Sequence, residues 1–129
     1  MGTDAFFAPE LIIPGGTTDV SFYQRAFNAT ENLRVTNDDK SIHVIEFSIG
    51  GIIFHLHEVM PDGRFFSPEQ HGGCTACIGL FVPDVDQVMR DAINAGAKEI
   101  EPAQDHDYGY RQGMIQDPFG HYWQIQKKI

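Results

Sequence analysis

The residues best suited to do chemistry are two histidines, His55 and His57, which alternate along an apolar stretch of the chain. Residues two apart on a β-strand point to the same face, so the two imidazoles should lie side by side. An imidazole titrates near neutral pH, which suits acid–base catalysis, metal binding or hydrogen bonding in a pocket. Glu10 and Glu46 lie in other strand-like stretches and can share that face. His55 and Glu10 are therefore catalytic candidates, although hydrogen-bonding pocket histidines are an equally good interpretation.

Cys74 and Cys77 form a Cys-x-x-Cys pair, a pattern found in thioredoxin-like redox sites and in zinc sites. A thioredoxin-like site would open a helix, whereas residues 78–82 (Ile-Gly-Leu-Phe-Val) are strand-like. A structural zinc site would need a second Cys or His pair at similar spacing, and none is obvious. We therefore predict two ordinary reduced thiols.

The length and composition are those of a single domain over residues 1–129. The chain is 42% hydrophobic, which is enough to bury a core. A net charge of −9 and a pI near 4.9 argue against a nucleic-acid partner. No apolar run approaches the roughly 18 residues of a membrane span, and no signal-peptide pattern is present. We expect a cytoplasmic protein with no membrane partner.

Two segments of the chain recur at one offset, which indicates an internal duplication. Residues 11–14 (Leu-Ile-Ile-Pro) resemble residues 80–83 (Leu-Phe-Val-Pro), 69 positions further along. Residues 51–56 resemble residues 120–125 at the same offset of 69. Both ends of one structural unit are therefore repeated.

A helix is predicted in each repeat, at about residues 18–29 and 84–95, because apolar residues recur there at helical spacing. Asp84 stands where an N-cap belongs, and Gly96 where a left-handed residue usually follows a helix. The offset between the two helices is 65 rather than 69, because residues 15–18 lengthen the first strand–helix loop.

Three strand-like stretches follow each helix. They lie at about residues 32–36, 42–49 and 52–58 in the first repeat, and at about 98–101, 108–116 and 122–127 in the second.

Turn signals join these strands. Gly50-Gly51 predicts a tight hairpin, and residues 117–120 (Asp-Pro-Phe-Gly) predict a type I turn. Residues 60–73, rich in proline, glycine and polar residues, indicate a linker between module one (about 8–59) and module two (about 74–129). The order βαβββ, linker, βαβββ defines an α+β fold.

Three motifs carry a family resemblance: residues 22–27 (Phe-Tyr-Gln-Arg-Ala-Phe), 109–113 (Gly-Tyr-Arg-Gln-Gly) and 117–123 (Asp-Pro-Phe-Gly-His-Tyr-Trp). In this order, inside a duplicated βαβββ frame, they resemble the vicinal-oxygen-chelate superfamily of glyoxalase I, bleomycin-resistance proteins and extradiol dioxygenases. Within it they are similar to the PhnB-like branch. The resemblance implies a curved, half-barrel mixed sheet with helices on its convex face and a small-molecule cavity on its concave face.

Strand alternation assigns residues to the two faces of that sheet. Ile52, Phe54 and Leu56 should face the helices, and so should Leu11 and Ile13. The alternate positions face the cavity, and from them we predict nine ligand-binding residues: Glu10, Glu46, Ile53, His55, His57, Cys77, Phe81, Tyr122 and Gln124.

The resemblance also implies where a metal would bind, because metal-using relatives hold a divalent ion with four side chains, two from each module. Those positions here are Ala8, His55, Cys77 and Gln124. Ala8 cannot coordinate a metal, and the Gln124 amide is a poor ligand for a catalytic first-row ion. Glu10 can substitute along the same face, and Glu46 or His57 can lean in. We predict no metal and no other cofactor.

The remaining polar residues suggest structural roles. His121 is predicted to be a satisfied structural residue beside Trp123, whereas His43, His71 and His106 are predicted to be exposed at strand or loop edges. Arg111 can pair with an anionic substrate group or with Asp105 or Asp107, and we favour the structural ion pair.

Two functions from different classes fit these observations. The first is a small-molecule-binding protein of the glyoxalase/bleomycin-resistance type, without metal and without chemistry. The second is a glyoxalase-like lyase or isomerase, which uses an atypical metal site or His55 with Glu10. The resemblance also implies a homodimer, often with strands exchanged between the chains.

Overall fold

A computed structural model describes residues 4–129 and contains eight strands and three helices in them. The strands are β1 Glu10–Ile13, β2 Thr30–Thr36, β3 Ile42–Ile49, β4 Ile52–Glu58, β5 Cys77–Phe81, β6 Lys98–His106, β7 Tyr110–Gln116 and β8 Tyr122–Lys128. The helices are α1 Phe22–Phe27, α2 Pro68–His71 and α3 Val85–Asn94. None of the helices in residues 4–129 is long and apolar enough to cross a membrane.

The strands form two four-stranded mixed sheets with the same topology. Sheet one has the order β1-β4-β3-β2 and sheet two the order β5-β8-β7-β6, and in each the first strand runs parallel to its neighbour. The register is also repeated, because Leu11 pairs with Leu56 in sheet one and Leu80 with Ile125 in sheet two. Both pairs are related by the offset of 69 seen in the sequence. The prediction of two βαβββ modules is confirmed.

The helices begin and end where local sequence signals place them. The Asp84 side chain accepts a hydrogen bond from the backbone N–H of Gln87, and so caps the first turn of α3. Gly96, just beyond that helix, has a φ of 118°. Helix α1 is shorter than predicted, because Asn28 takes a left-handed conformation and ends the helix after Phe27.

Helix α2 lies within the predicted linker and was missed. Its N-cap, Ser67, accepts a hydrogen bond from the Gln70 backbone N–H, while the Gln70 side chain accepts one from the Ser67 backbone. Pro68 follows the cap at the first helical position. Ser-Pro-Glu-Gln is a capping box with proline at N1, so the signal was present in the sequence.

An aromatic cluster at the convex side joins the two modules. Tyr23 and Phe27 of α1 pack against Trp123 of β8, with ring centroids 5.8 and 4.8 Å apart. Phe54 of β4 reaches the same indole at 5.5 Å. Helix α1 of module one therefore contacts β8, the last strand of module two. The two modules share a single hydrophobic core.

The assignment of strand faces agrees with burial for four of the five helix-side residues predicted on β1 and β4. Leu11, Ile13, Phe54 and Leu56 are buried, as alternation predicts. Ile52 is the exception, because 70% of its surface is exposed. It directly follows the Gly50-Gly51 turn, at the end of the β3–β4 hairpin and beyond the packed core. Both glycines have positive φ, of 57° and 83°, as a tight hairpin requires.

Candidate functional site

His55 lies between two carboxylates on the concave face of sheet one. Its Nδ1 is 2.6 Å from Glu10 Oε2, and its Nε2 is 3.0 Å from Glu46 Oε1. The three residues occupy one row of the sheet, because Glu10 on β1 and Glu46 on β3 both pair with His55 on β4. Asn32 donates a hydrogen bond of 3.0 Å to the second oxygen of Glu46. The sheet register therefore brings together three residues that are far apart in sequence.

The two contacts of His55 favour its charged form. An ionised carboxylate only accepts hydrogen bonds, so both ring nitrogens must carry a proton for both contacts to be made. The hydrogen bond with Glu46, together with Glu10, raises the pKa of His55 above its usual value despite partial burial. The same contact with His55, aided by Asn32, lowers the pKa of Glu46. When His55 is protonated, the row is an imidazolium held by two carboxylates.

The stability supplied by this row should depend on pH with a definite sign. The raised pKa of His55 contributes stability that is full below about pH 6.5 and is lost as pH rises through the folded pKa. The lowered pKa of Glu46 contributes stability above about pH 4.5, which is lost as pH falls through its folded pKa. Both contributions are therefore present between about pH 4.5 and 6.5.

A His55→Gln variant tests this dependence. We expect the loss in free energy of unfolding to be larger at about pH 5.5 than at about pH 9, because only the charged imidazole bridges both carboxylates. Urea denaturation at the two pH values measures the difference. His106→Gln is the control, since His106 has no carboxylate partner among residues 4–129. An equal loss for His55→Gln at both pH values would contradict the charged bridge.

The four positions that the family resemblance assigns to a metal ion do not form a ligand set here. Ala8 has no donor atom, and Gln124 offers a neutral amide. Both nitrogens of His55 point at carboxylates, and an imidazolium has no lone pair for a metal. Within residues 4–129, no group of three or more His, Cys, Asp or Glu side chains is arranged to hold a metal ion. The residues present therefore do not fit that centre.

A cleft of about 280 Å³ lies where β1, the linker and the beginnings of β5 and β8 meet. Its polar wall includes Glu10, Cys74, His121 and Tyr122. Ile12 and Ile78 add apolar surface from β1 and β5. The cleft is therefore a mixed apolar and polar surface at the junction of the two modules.

Two of the nine predicted ligand-binding residues, Glu10 and Tyr122, line this cleft. The other seven do not: Glu46, Ile53, His55, His57, Cys77, Phe81 and Gln124. The reason is that strand alternation assigns a residue to a face of the sheet but not to a position along it. His55 reaches the cleft only through its hydrogen bond to Glu10.

Linker residues form the outer wall of the cleft, and none of them was among the nine residues predicted to bind a ligand. Phe65 and Phe66 line it while remaining 63% and 51% exposed. His71 of α2 stacks on Phe66, with ring centroids 6.3 Å apart and planes 19° apart. The signal was the Phe-Phe pair in an otherwise polar linker, which suggests that the linker packs over something.

The concave face of sheet two bears aromatic rings and amides. Phe81 is 57% exposed and lies 6.1 Å from the ring of Tyr110. The Gln112 side chain donates a hydrogen bond of 2.7 Å to Gln126, which is buried. Gln124, two residues before Gln126 on β8, pairs with Gly79 of the neighbouring strand β5. Among the described residues, this face has no charged row equivalent to that of sheet one.

The two cysteines are free thiols in different surroundings. Cys74 is half-buried in the cleft, and its thiol donates to the Gly120 carbonyl oxygen at 3.2 Å. Burial raises the pKa of Cys74. Cys77 is exposed at the start of β5.

The predictions for two other histidines, His121 and His43, change in detail. His121 is satisfied, as predicted, but its Nε2 donates to the Ile12 carbonyl oxygen at 2.7 Å and its ring lines the cleft. His43 is half-buried rather than exposed, because its Nδ1 lies 2.7 Å from Glu58.

Arg111 forms its ion pair with Asp105 at 3.0 Å, one of the two partners predicted. Its second partner is Asp86 at 2.7 Å and not Asp107. Asp86 lies on α3, which packs against β7, so only the tertiary structure brings it to Arg111.

This duplicated fold with a cleft between its modules is that of a glyoxalase-like protein. Residues 18–125 match the Glyoxalase/Bleomycin resistance protein/Dioxygenase superfamily. The chain belongs to that family.

Relatives and structural neighbours agree with this assignment. Uncharacterized proteins of Mycobacterium tuberculosis and Mycobacterium bovis are 32% identical over 125 residues, which is 95% of this chain and 74% and 82% of theirs. A gene product of Arabidopsis thaliana has a TM-score of 0.74 at 21% identity, covering 97% of this chain and 100% of its own. The fosfomycin resistance protein FosX of Listeria monocytogenes has a TM-score of 0.68 at 17% identity, covering 97% and 93%. These structural likenesses concern the fold.

Proposed function

We propose that this protein binds a small organic molecule in the cleft between β1, the linker and β8, without a metal. The observation that carries the proposal is the composition of that cleft. Exposed aromatic rings from the linker line it together with apolar residues of β1 and β5 and a few polar groups. Ligand sites are typically concave and mostly apolar, with a small number of polar groups that orient the ligand.

The polar groups suggest how a ligand would be oriented. Glu10 bonds His55 through Oε2, and its side chain is 56% exposed on the cleft wall, so it can accept a hydrogen bond from a ligand. His55, whose other ring nitrogen contacts Glu46, holds that carboxylate in place without itself lining the cleft. The Phe65 and Phe66 rings, opposite, would cover an apolar body.

A neutral, planar, apolar dye such as Nile red tests the site. We expect Phe66→Ser to weaken dye binding about tenfold, because burying one phenylalanine surface is worth about 1.5 to 3 kcal/mol. Phe81→Ser is the matched control, since Phe81 is similarly exposed but lies on the concave face outside the cleft. Fluorescence titration of the full chain measures both. Loss of binding with Phe81→Ser alone would move the site to the concave face and overturn the proposal.

A second candidate is a His/Glu-assisted lyase or isomerase of the glyoxalase type. The observation that favours it is the short contact between Glu10 and His55, which places a carboxylate backed by an imidazole at the cleft wall. Such a carboxylate can act as a general base. Turnover of an α-keto hemithioacetal that is abolished by Glu10→Gln would replace the binding proposal with this one. Stoichiometric metal that is lost in His55→Ala would favour the metal-dependent form.

We also propose that the protein is a homodimer. Phe6 and Phe7 precede β1 and are 77% and 94% exposed, and Leu33 on edge strand β2 is 55% exposed. These exposed apolar side chains, before β1 and on an edge strand, form a surface that a second copy of the chain can cover. A monomeric mass in solution scattering at micromolar concentration would contradict this.

Three finer assignments remain predictions. Placement in the PhnB-like branch depends on the helix and turn motifs. A cytoplasmic location and the lack of a nucleic-acid partner depend on composition and charge.

A further inference from the structure

Two histidines of sheet one, at the end where β3 begins and β4 ends, make different hydrogen bonds from those of His55. His43, near the start of β3, and His57, near the end of β4, have ring centroids 4.9 Å apart and ring planes at 62°. Neither lines the cleft. His43 was predicted to be an exposed edge residue and His57 to be one of the cavity residues, so the sequence did not pair them.

The hydrogen bonds of this pair determine where each neutral ring carries its proton. His57 Nδ1 lies 2.7 Å from the backbone carbonyl oxygen of Glu58, which can only accept, so Nδ1 must be the donor. His43 Nδ1 lies 2.7 Å from the Glu58 carboxylate, which accepts in the same way. Asn37 donates to that carboxylate at 3.0 Å, and these contacts, chiefly that with His43, lower the pKa of Glu58.

The consequence is that both neutral rings present a lone pair on Nε2. Neither Nε2 has a hydrogen-bond partner among residues 4–129. Metal-binding histidines are usually oriented in this way, with the second ring nitrogen donating to a carboxylate or a backbone carbonyl. His55 has no free ring nitrogen of this kind, because each of its two nitrogens contacts a carboxylate.

We propose that the Nε2 atoms of His43 and His57 form a two-histidine site for a borderline divalent cation such as Ni²⁺, Cu²⁺ or Zn²⁺. Imidazole nitrogens suit these ions, and a histidine–metal bond measures about 2.0 to 2.1 Å. The centre of an imidazole ring therefore lies about 3 Å from an ion bound to its nitrogen, and ring centroids 4.9 Å apart are compatible with two rings on one ion. Water completes the coordination sphere. Glu58 is a positioning residue, which orients one ring with its side chain and the other with its backbone.

The site is distinct from the centre that metal-using relatives employ. It lies further along the strands than the row of Glu10, His55 and Glu46, toward the edge of the sheet at which β4 ends and β3 begins. It does not depend on the proposed small-molecule cleft, so either can fail without the other.

Calorimetric titration of the full chain with nickel chloride alone, at about pH 8 where histidine is neutral, tests the proposal. We expect His43→Gln and His57→Gln each to weaken Ni²⁺ binding by at least about tenfold, and Glu58→Gln to weaken it by about tenfold. His106→Gln is the matched control and should bind like the wild type. Binding that survives both His43→Gln and His57→Gln, or that is lost only in His55→Gln, would overturn the site.

Nuclear magnetic resonance of the wild-type protein gives a readout that does not depend on how the variants fold. The ring ¹⁵N shifts should show His43 and His57 protonated at Nδ1, and Ni²⁺ should broaden these two rings before the others. A proton on Nε2 of either ring, or broadening that begins elsewhere, would contradict the assignment.

Discussion

Replacement of Asp117 by asparagine should lower the free energy of unfolding by about 3 kcal/mol. The Asp117 carboxylate is buried and accepts four hydrogen bonds. Tyr23 donates to it at 2.6 Å and the Trp123 indole at 3.0 Å, while the backbone N–H groups of Phe119 and His121 donate at 2.9 and 3.0 Å. An asparagine presents one NH₂ group where the carboxylate presents an acceptor, so at least one buried donor loses its partner.

The cost is large because these donors come from both modules. Tyr23 belongs to α1 of module one, whereas Asp117 and Trp123 belong to module two. Burial and the adjacent Asp117 raise the pKa of Tyr23 well above its usual value, so its hydroxyl remains a donor. Breaking this network leaves polar groups unsatisfied in the shared core, where each costs about 1 to 3 kcal/mol.

Urea denaturation of the Asp117→Asn variant measures the effect, and Asp107→Asn is the matched control. Asp107 is exposed in the turn before β7, so its variant should change stability by less than about 0.5 kcal/mol. Tyr23→Phe, which removes one donor, should cost about 1 to 2 kcal/mol. A loss below about 1 kcal/mol for Asp117→Asn would show that the network does not hold the modules together.

Substitution of Gly120 by alanine should destabilise the protein by about 2 to 3 kcal/mol. Gly120 ends the Asp117–Gly120 turn with a φ of 94°, a conformation that residues with a side chain rarely adopt. A Cβ at this position would also lie 2.8 Å from Cβ of Pro68, the first residue of α2. Proline is rigid, so the linker helix would have to move.

Gly16→Ala separates strain from collision. Gly16 has a similar φ of 88°, but no heavy atom lies within 4 Å of a Cβ built there. That variant should therefore lose only the cost of backbone strain, about 1 kcal/mol. Equal losses in the two variants would mean that contact with Pro68 contributes nothing. Since Pro68 and the two residues after Gly120 line the cleft, Gly120→Ala should also weaken dye binding.

Much of the architecture was predictable from local signals. The 69-residue repeat predicted two equivalent sheets, and the capping residue Asp84 and the Gly50-Gly51 hairpin were identified correctly. Strand alternation separated buried from cavity-facing positions, because side chains on a strand alternate strictly. The exception, Ile52, lies where a hairpin end extends past the core and alternation no longer implies burial.

The candidate site was only partly predictable. Glu10, Glu46 and His55 were all proposed as cavity residues, and the register places them in one row. That both carboxylates bond the same imidazole follows from side-chain geometry, which a residue pattern does not contain. The cleft itself depends on the linker, because Phe65, Phe66 and Pro68 line it together with residues of β1 and β8.

The sequence alone thus determined the duplicated modules and the face of each strand, since these follow from periodicity and local turn chemistry. The family resemblance led to the further expectation that Ala8 and Gln124 occupy ligand positions of metal-using relatives, which stays a prediction. Only the tertiary structure decided which polar groups meet: Asp86 with Arg111, Tyr23 with Asp117, and His43 with His57. Such partners lie on different elements, and their encounter depends on how helices and strands pack rather than on spacing along the chain.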